Sequence, residues 1–211
     1  MSNILEELAE RVIEGKLETV QDITRKAIAE GLDPEEIINQ GLIKGMNVVG
    51  VRFKAGDMFV PEVLMCARSM SGGMELVKPL LLGKEMPTAG KVLIGTVKGD
   101  LHDIGKNLVG MLLESVGFNV VNLGTDISTE QFMQAIKEHK PDVLGLSALL
   151  TTTMLGMKDI IDQLVEEGTR DKIKVIIGGA PISQDFSDEI GADGFAPDAA
   201  SATELCQKLL A

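Results

Sequence analysis

The sequence contains no tryptophan and no tyrosine, and it has only two cysteines and two histidines among 211 residues. Cys66 and Cys206 lie far apart, with no C-x-x-C motif or Cys/His cluster beside them, so we expect two reduced thiols and no zinc, iron–sulfur or dithiol centre. Basic residues are also few: 20 Lys and Arg stand against 32 Asp and Glu, a formal net charge of −12. Because this charge repels phosphate backbones and anionic lipids, nucleic acid and membrane surfaces are not expected partners.

Long hydrophobic segments are missing as well. No uninterrupted apolar run approaches the ~18 residues that span a bilayer, and residues 1–7 show no basic region followed by an apolar stretch. We therefore expect a cytoplasmic protein. Apolar residues nevertheless make up 45% of the chain, with 25% charged residues. This balance predicts a globular protein of one large or two modest domains.

The first part of the chain, residues 1–83, has apolar residues at helical spacing and predicts an all-α four-helix bundle. The helices are expected at about 3–13, at 17–30, from Pro34 to before Phe53, and at about 61–82. The third has the clearest start, with Asp33 as N-cap, Pro34 in the first turn and Glu36 three residues after the cap. The fourth is apolar on much of its circumference, so it needs burial on more than one side.

A Gly- and Pro-containing stretch, residues 84–90, is typical of an interdomain linker. In residues 91–211, strand-like runs at 92–97, 119–123, 143–147, 175–177 and 194–196 alternate with helical segments at 105–116, 129–139, 153–166, 184–190 and 199–210. This alternation predicts an α/β domain with a parallel five-stranded sheet covered on both faces. Its short strands favour a flavodoxin-like, Rossmann-like fold with strand order 2-1-3-4-5.

In such a sheet, ligands bind beyond the carboxyl ends of the strands, here between the first and third. The loop after the first strand contains His102 two residues after Asp100. Asp100 could accept a hydrogen bond from one imidazole nitrogen and leave the other free for a metal. The alternative interpretation is a surface histidine beside a helix-capping aspartate.

One histidine without nearby cysteines cannot complete a zinc shell, so further ligands must come from elsewhere, and a macrocycle would supply them. Glycines at 99, 105, 178 and 179 would let a large ligand approach the backbone, although glycines are also common at strand-to-helix turns. A nucleotide-phosphate loop is disfavoured, because Asp100 replaces the first Walker glycine and Asn107 the Ser or Thr that holds magnesium.

The segments Asp100-x-His102-x-x-Gly105, Ser147-x-Leu149 and Gly178-Gly179 follow the pattern D-x-H-x-x-G, S-x-L and G-G, which resembles the cobalamin-binding family. The resemblance implies cobalamin or a related corrinoid bound base-off/His-on, with His102 replacing the cofactor's own dimethylbenzimidazole as lower cobalt ligand. It also implies that the nucleotide tail runs beside the sheet. The implied cofactor-binding residues of this domain are Gly99, Asp100, Leu101, His102, Asp103, Ile104, Gly105, Ser147, Leu149, Thr151, Thr153, Gly178 and Gly179.

In the similar module of methionine synthase, the aspartate is bonded by a hydroxyl six residues beyond the serine of S-x-L. That position is Thr153 in this sequence. The resemblance thus implies a catalytic relay of His102, Asp100 and Thr153, in which a proton changes the donor strength of His102. Thr151 is a second candidate contact.

The helical half resembles the cap of methyl-carrying corrinoid proteins, especially over residues 56–63. Phe59 matches the residue that shields the methyl group above cobalt, and Val63 and Met70 follow on the same side of the fourth helix, with Cys66 between them. Such an apolar lid excludes water from the cobalt centre. The alternative for these residues is simple bundle core.

A cap plus a corrinoid domain looks like the small corrinoid protein of three-component methyltransferase systems. The resemblance implies a non-catalytic methyl carrier rather than a stand-alone enzyme. It would accept a methyl group on Co(I) from a substrate-specific methyltransferase for methanol, a methylamine or a quaternary amine. As methyl-Co(III), it would serve a second methyltransferase with a thiol or tetrahydrofolate acceptor. A reductive activase is a further implied partner, and residues 83–90 are the expected hinge.

Three rival functions remain. A cobalamin-dependent sensor or regulator would need a DNA-binding or signalling segment, which the sequence lacks, and photosensors tend to carry a cap tryptophan. The small subunit of a cobalamin-dependent mutase usually lacks this helical cap. A flavodoxin-like binding module without cobalt is the third.

Overall fold

The computed structural model describes residues 2–81 and 88–211. The chain divides into two compact units, Met1–Thr88 with Ser115–Gly117, and Ala89–Glu114 with Phe118–Ala211. Most of the expected linker and hinge lies outside the described residues, so the domain boundaries stay a prediction. Within the described residues, no helix is long and apolar enough to cross a membrane.

The first unit is helical, as predicted. Its elements are α1 (Ser2–Ile13), α2 (Leu17–Ala29), α3 (Pro34–Glu36), a π-helical segment (Ile37–Ile43), α4 (Lys44–Lys54), α5 (Val60–Val77) and a 3-10 turn (Lys78–Leu81). The stretch from α3 to α4 is continuous and starts as expected, because Asp33 Oδ1 accepts a hydrogen bond from Glu35 N at 2.8 Å. Its predicted end before Phe53 is wrong: the helix continues to Lys54, until Gly56 turns the chain with a φ of 80°.

Small residues bring these helices close together. A Cβ atom at Gly41 would lie 2.6 Å from Leu8 Cδ2, and one at Gly45 would lie 2.8 Å from the carbonyl oxygen of Ala9. The continuous third helix therefore packs against α1 nearly backbone to backbone. The expected burial of α5 on more than one side is confirmed by its buried residues, Val63, Cys66, Ala67, Ser69, Met70, Gly72, Gly73, Met74 and Val77.

The second unit is the predicted α/β fold. Its strands are β1 (Lys91–Thr96), β2 (Asn119–Asn122), β3 (Val143–Ser147), β4 (Lys174–Gly178) and β5 (Gly194–Phe195). Its helices are α6 (Ile104–Ser115), α7 (Thr129–His139), α8 (Leu155–Glu166), α9 (Gln184–Ile190) and α10 (Ala199–Leu209), with a 3-10 turn at Arg170–Lys172. All strand pairs are parallel, and the order β2-β1-β3-β4-β5 confirms the predicted topology.

The strands are apolar because helices cover both faces of the sheet. Much of the core packs on the side of α7 and α8, and its fully buried members include Leu93, Phe132, Leu144, Met157 and Val175. The helix expected from Thr153 begins only at Leu155, because residues 151–154 form turns before it. That correction leaves Thr153 in the loop after β3.

The order of the strands fixes where a site can form. After β1 the chain turns toward β2, on one side of β1, and after β3 it turns toward β4, on the opposite side. The loops that follow β1 and β3 therefore diverge. Thr96 pairs with Ser147 at the ends of these strands, and the two loops therefore start level with each other.

Candidate functional site

The carboxylate of Asp100 joins the loops after β1 and β3. Asp100 has no exposed surface. Its Oδ1 accepts a hydrogen bond from His102 N at 3.1 Å and lies 2.7 Å from His102 Nδ1. Its Oδ2 accepts from Leu149 N at 2.7 Å and from Thr153 Oγ1 at 2.8 Å. Each oxygen thus has two partners, so the buried charge is well satisfied.

These contacts decide the charge of Asp100. Burial by itself raises the pKa of the carboxyl. The hydrogen bonds from Leu149 N, from the ring and backbone of His102, and from Thr153 outweigh that effect and hold the pKa of Asp100 well below its ordinary value. Asp100 is therefore ionised at neutral pH.

An ionised carboxylate fixes the tautomer of His102. Because it only accepts hydrogen bonds, the ring nitrogen facing it, Nδ1, must carry the proton. In the neutral ring, Nε2 then keeps its lone pair free, and the side chain is 51% exposed. The backbone is held too, since the hydroxyl of buried Thr96 donates to His102 O at 2.9 Å. An oriented imidazole with one free nitrogen is the usual arrangement of a metal-ligating histidine.

Thr153 completes the predicted group of three. Its hydroxyl also lies 3.0 Å from Leu150 O, but the charged carboxylate is the stronger acceptor of its single proton. The extra methyl group, compared with serine, is accommodated, because even a Cβ atom added at Gly99 would stand 3.5 Å from it. The structure therefore brings Asp100, His102 and Thr153 together, while the relay itself stays a prediction.

Three of the four candidate glycines differ in the space around them. Gly179 has a φ of 132°, and a Cβ atom there would overlap the carbonyl oxygen of Ala148, so the fold itself requires glycine. Gly178 is tight as well, with the oxygen of Ala196 at 3.0 Å from such an atom. A Cβ atom added at Gly105 would meet no atom within 4 Å outside its own chain neighbours and helix backbone. In the described chain, no packing contact explains the small size of Gly105.

Other predicted residues of this unit lie on the loops after β1 and β3 or at the ends of these strands. Leu101 and Ile104, on either side of it, are 74% and 84% exposed. Leu149 is 41% exposed, and Asp103 Oδ2 accepts a hydrogen bond from Asn107 Nδ2 at 2.9 Å. Ser147 is partly buried at the end of β3, and Thr151 is exposed on the following turn.

The residues predicted for the upper face belong to the helical unit. Phe59 precedes α5 and is 69% exposed, and its backbone N donates to Glu62 Oε2 at 2.8 Å. Val63 and Met70 are buried, at 0% and 3% exposure. Their contacts with a cofactor stay predictions.

Several contacts of this site are not apparent from the sequence pattern. Thr96 is a hydroxyl in an apolar strand, and Leu149 contributes its backbone N–H. Asp126, in the loop after β2, accepts a hydrogen bond from Gly99 N at 2.7 Å. A polar residue at the end of a neighbouring strand was the one signal that could have identified Asp126.

Lys106 was also missed. It is buried, and its Nζ donates hydrogen bonds to Asn107 Oδ1 and Asn122 Oδ1. Burial lowers the pKa of its ammonium group, and the charge of Asp103 opposes this shift.

The metal chemistry that this site can support depends on His102. Among residues 2–81 and 88–211, no three His, Cys, Asp or Glu side chains cluster as a ligand set. That a separate molecule supplies the other ligands of a metal at His102 stays a prediction.

Comparison with known proteins finds relatives that match nearly the whole chain. Residues 90–205 and 4–78 match two family models, each described as a B12 binding domain. A corrinoid protein of Desulfitobacterium hafniense is 44% identical over 99% of this chain and 98% of its own length. The dimethylamine corrinoid protein of Methanosarcina barkeri is 46% identical, with the same coverage.

A solved structure extends the likeness to the whole fold. One chain of the methanol:cobalamin methyltransferase complex of Methanosarcina barkeri superposes with a TM-score of 0.88 at 36% identity, over 98% of this chain and 79% of that chain. The family resemblance inferred from the three loops is thereby confirmed. The chain belongs to the corrinoid proteins that carry B12-binding domains.

Proposed function

We propose that this protein carries a corrinoid base-off/His-on, with His102 as lower cobalt ligand, and moves methyl groups between two methyltransferases. The observation that carries the proposal is the pair His102 and Asp100. The 2.7 Å contact of Nδ1 with an ionised, buried carboxylate leaves Nε2 as the one ring nitrogen free for cobalt.

The surroundings of His102 fit a large flat ligand. Leu101 and Ile104 expose most of their apolar surface on a loop that hydrogen bonds hold in place, and a corrin ring would cover such surface. Gly105 leaves open space next to them that any side chain would fill. A bound corrinoid would account for these features, whereas Gly178 and Gly179 are already explained by the fold.

When bound, the cobalt of the corrinoid supplies the atom that accepts a methyl group and gives it up again. The protein's part is to hold His102 and to adjust its donor strength. Asp100 keeps the Nδ1 proton in a short hydrogen bond, which makes the imidazole a stronger donor, and Thr153 competes for the same carboxylate. The predicted lid of Phe59, Val63 and Met70 belongs to this proposal; the exposed ring of Phe59 supports it most.

The partners follow from the relatives. Proteins similar over nearly the full chain are named for dimethylamine and trimethylamine, and a structural neighbour comes from a methyltransferase complex. We therefore infer a substrate-specific methyltransferase as donor partner, with dimethylamine as the first donor to test. A thiol- or tetrahydrofolate-dependent acceptor methyltransferase, a reductive activase and a cytoplasmic location complete the proposal.

The test is a single-turnover methyl transfer. The protein is reconstituted with hydroxocobalamin, reduced, and incubated with a dimethylamine methyltransferase and radiolabelled dimethylamine. We expect the label to reach the protein-bound corrinoid and then to leave it when an acceptor methyltransferase and its thiol are added. The His102→Ala variant is expected to bind the corrinoid more weakly and to transfer methyl groups at least about tenfold more slowly, the loss typical for a displaced metal ligand or its partner.

Two outcomes would contradict the proposal. Stable binding of adenosylcobalamin alone would favour the mutase subunit, and an unchanged visible spectrum after adding hydroxocobalamin would favour a module without cobalt. The His139→Ala variant is the matched control, because His139 lies at the end of α7 and its backbone carbonyl, which the substitution keeps, accepts from Lys91 Nζ at 2.9 Å.

A further inference from the structure

The loop that follows β2 holds an unusual backbone conformation at Asp126. Its φ of 57° lies in the left-handed region, which is unfavourable for residues with a side chain and is tolerated best by Asn and Asp. Among the described residues, Lys140 is the other non-glycine residue with positive φ, at 48°. A strained residue persists when its surroundings hold it in place, so the contacts of Asp126 are informative.

Asp126 holds the Gly99–Asp100 peptide from two sides. Its Oδ1 accepts a hydrogen bond from Gly99 N at 2.7 Å, and its own N donates to Asp100 O at 3.0 Å. Gly99 has a φ of 81°, so this turn also depends on a left-handed residue. One residue of the β2–α7 loop thereby fixes the backbone on both sides of the Gly99–Asp100 peptide.

The position of Asp126 is itself anchored to the end of β1. Ile127 N donates to Thr96 O at 3.0 Å, and Val97 forms a parallel bridge with Ile127. The β2–α7 loop therefore continues the sheet beyond the last paired residues of β2. A rigid support of this kind keeps the residues that it contacts in a fixed position.

We propose that Asp126 is a positioning residue for His102, acting through the Gly99–Asp100 peptide. By fixing the backbone of Asp100, it aims the carboxylate at His102 Nδ1 and so selects the tautomer that leaves Nε2 free. The two hydrogen bonds of Asp126 to Gly99 N and Asp100 O are called the clamp. Its importance rests on the proposed function of His102 as cobalt ligand. The clamp itself is a property of the loop and can be measured in the full chain without cofactor.

The experiment is NMR of the cofactor-free protein. With two histidines in the sequence, the ring nitrogens of His102 are assignable by comparison with the His139→Asn variant. In Asp126→Gly, glycine accepts the positive φ while the carboxylate that binds Gly99 N is lost. We expect the Gly99 amide proton to exchange roughly tenfold faster, the loss of one hydrogen bond to a charged acceptor, and the His102 ring signals to shift from the Nδ1–H form toward a mixture of tautomers.

Two further variants separate positioning from general loosening. Asp126→Asn tolerates the left-handed backbone and keeps an oxygen for Gly99 N, so it should restore both readouts. Lys140→Gly changes the other left-handed residue, at the end of α7, and should leave both unchanged. If Asp126→Gly does not fold, Asp126→Ser, which keeps only a short hydroxyl, gives the same two readouts.

The proposal is overturned if the His102 ring signals of Asp126→Gly equal those of the parent. It is also overturned if Lys140→Gly changes the Gly99 exchange rate and the His102 ring signals in the same way as Asp126→Gly. Failure of the proposed function looks different. In that case the ring signals respond to Asp126→Gly as expected, while His102→Ala leaves the spectrum of bound cobalamin unaltered.

Discussion

The two units of this protein bury their polar groups in different ways. In the helical unit, buried Thr24 donates to Val20 O within one helical turn. The hydroxyl of buried Ser69 lies 2.8 Å from Cys66 O in its own helix and 3.5 Å from Val12 O in α1. In the α/β unit, buried Asp100 is bonded to Leu149 and Thr153, about 50 residues away in the chain.

The difference shows where function can be recognised. A hydroxyl that bonds its own helix only completes a local structure. Burying a charge costs free energy of solvation, and satisfying it from two separate loops requires a specific geometry. Such a charge therefore indicates a functional site. In the helical unit, apolar burial alone does not distinguish a lid from a core, and each prediction below tests this contrast.

The largest effect is expected from glycine substitutions in the α/β unit. Gly179→Ala should lower the free energy of unfolding by about 4 kcal/mol, because the new Cβ would overlap Ala148 O at a positive φ. Gly105→Ala should be neutral or stabilising by about 0.5 kcal/mol, as expected for Ala in a helix with open space around it. Urea unfolding measures both. A corrinoid affinity unchanged in Gly105→Ala would contradict the cofactor role of Gly105.

The next effect separates core from exposed surface in the helical unit. Met70→Ala should cost about 3 kcal/mol in unfolding free energy, because it leaves a cavity at a residue that is 3% exposed. Phe59→Ala, at 69% exposure, should cost less than about 0.5 kcal/mol. The predicted shielding role of Phe59 should be detected instead as faster photolysis or hydrolysis of the methylated cofactor. Equal unfolding costs for the two variants would show that Phe59 is simply core.

A smaller effect concerns the buried charge and its dependence on pH. Asp100→Asn should lower the unfolding free energy by about 2 kcal/mol at neutral pH, because an amide cannot accept all four hydrogen bonds. The folded pKa of Asp100 is lowered, so its stabilising contribution is present above about pH 4, the ordinary carboxyl value, and is lost as the pH falls toward the lower folded value.

Urea midpoints of the parent and the Asp100→Asn variant, compared between neutral pH and about pH 3, measure this loss. Asp162→Asn is the control, because it removes an exposed pair with Lys158 and should change little at any pH. A stability difference between the parent and Asp100→Asn that grows as the pH falls would contradict the assignment of an ionised, hydrogen-bonded Asp100.

The smallest effect tests the hydroxyl of Thr153. Thr153→Val keeps the shape and removes the donor to Asp100, and should cost about 1.5 kcal/mol in unfolding free energy. Thr153→Ser keeps the donor and should cost less than about 0.5 kcal/mol. If the relay operates, only the valine variant also changes the rate of methyl transfer; an equal rate in both variants would restrict Thr153 to a structural role.

Sequence periodicity was sufficient to predict the fold because the apolar repeats of strands and helices differ in period. It predicted β3, α7 and α9 with the bounds that the structure has, and it predicted the strand order. The candidate site followed from that order, since the carboxyl ends of β1, β3 and β4 meet at one edge. Errors fell at the ends of helices, such as Lys54 and Leu155, and at the ends of strands, such as β1, which was predicted at 92–97 and spans Lys91–Thr96.

The rest of the site depends on contacts that no local pattern encodes. Asp126 reaches Gly99 across 27 positions, and Thr96, the last residue of an apolar strand, donates to His102 O. The glycines illustrate the same limit. Positions 105 and 179 look equivalent in the sequence, and they are distinguished by the positive φ of Gly179 and by the position of Ala148. The helical unit was hardest to interpret, because Val63 and Met70 have the same spacing whether they form core or lid.

The most direct test of the account is electron paramagnetic resonance of the Co(II) form bound to protein in which histidine alone carries nitrogen-15. If His102 is the lower ligand, the nitrogen splitting of the cobalt signal must change from the triplets of natural nitrogen to doublets. The same labelling in the His102→Ala variant must have no such effect. Triplets that persist in the labelled parent would mean that an unlabelled nitrogen, such as that of the cofactor's own base, remains on cobalt, and would contradict the central claim.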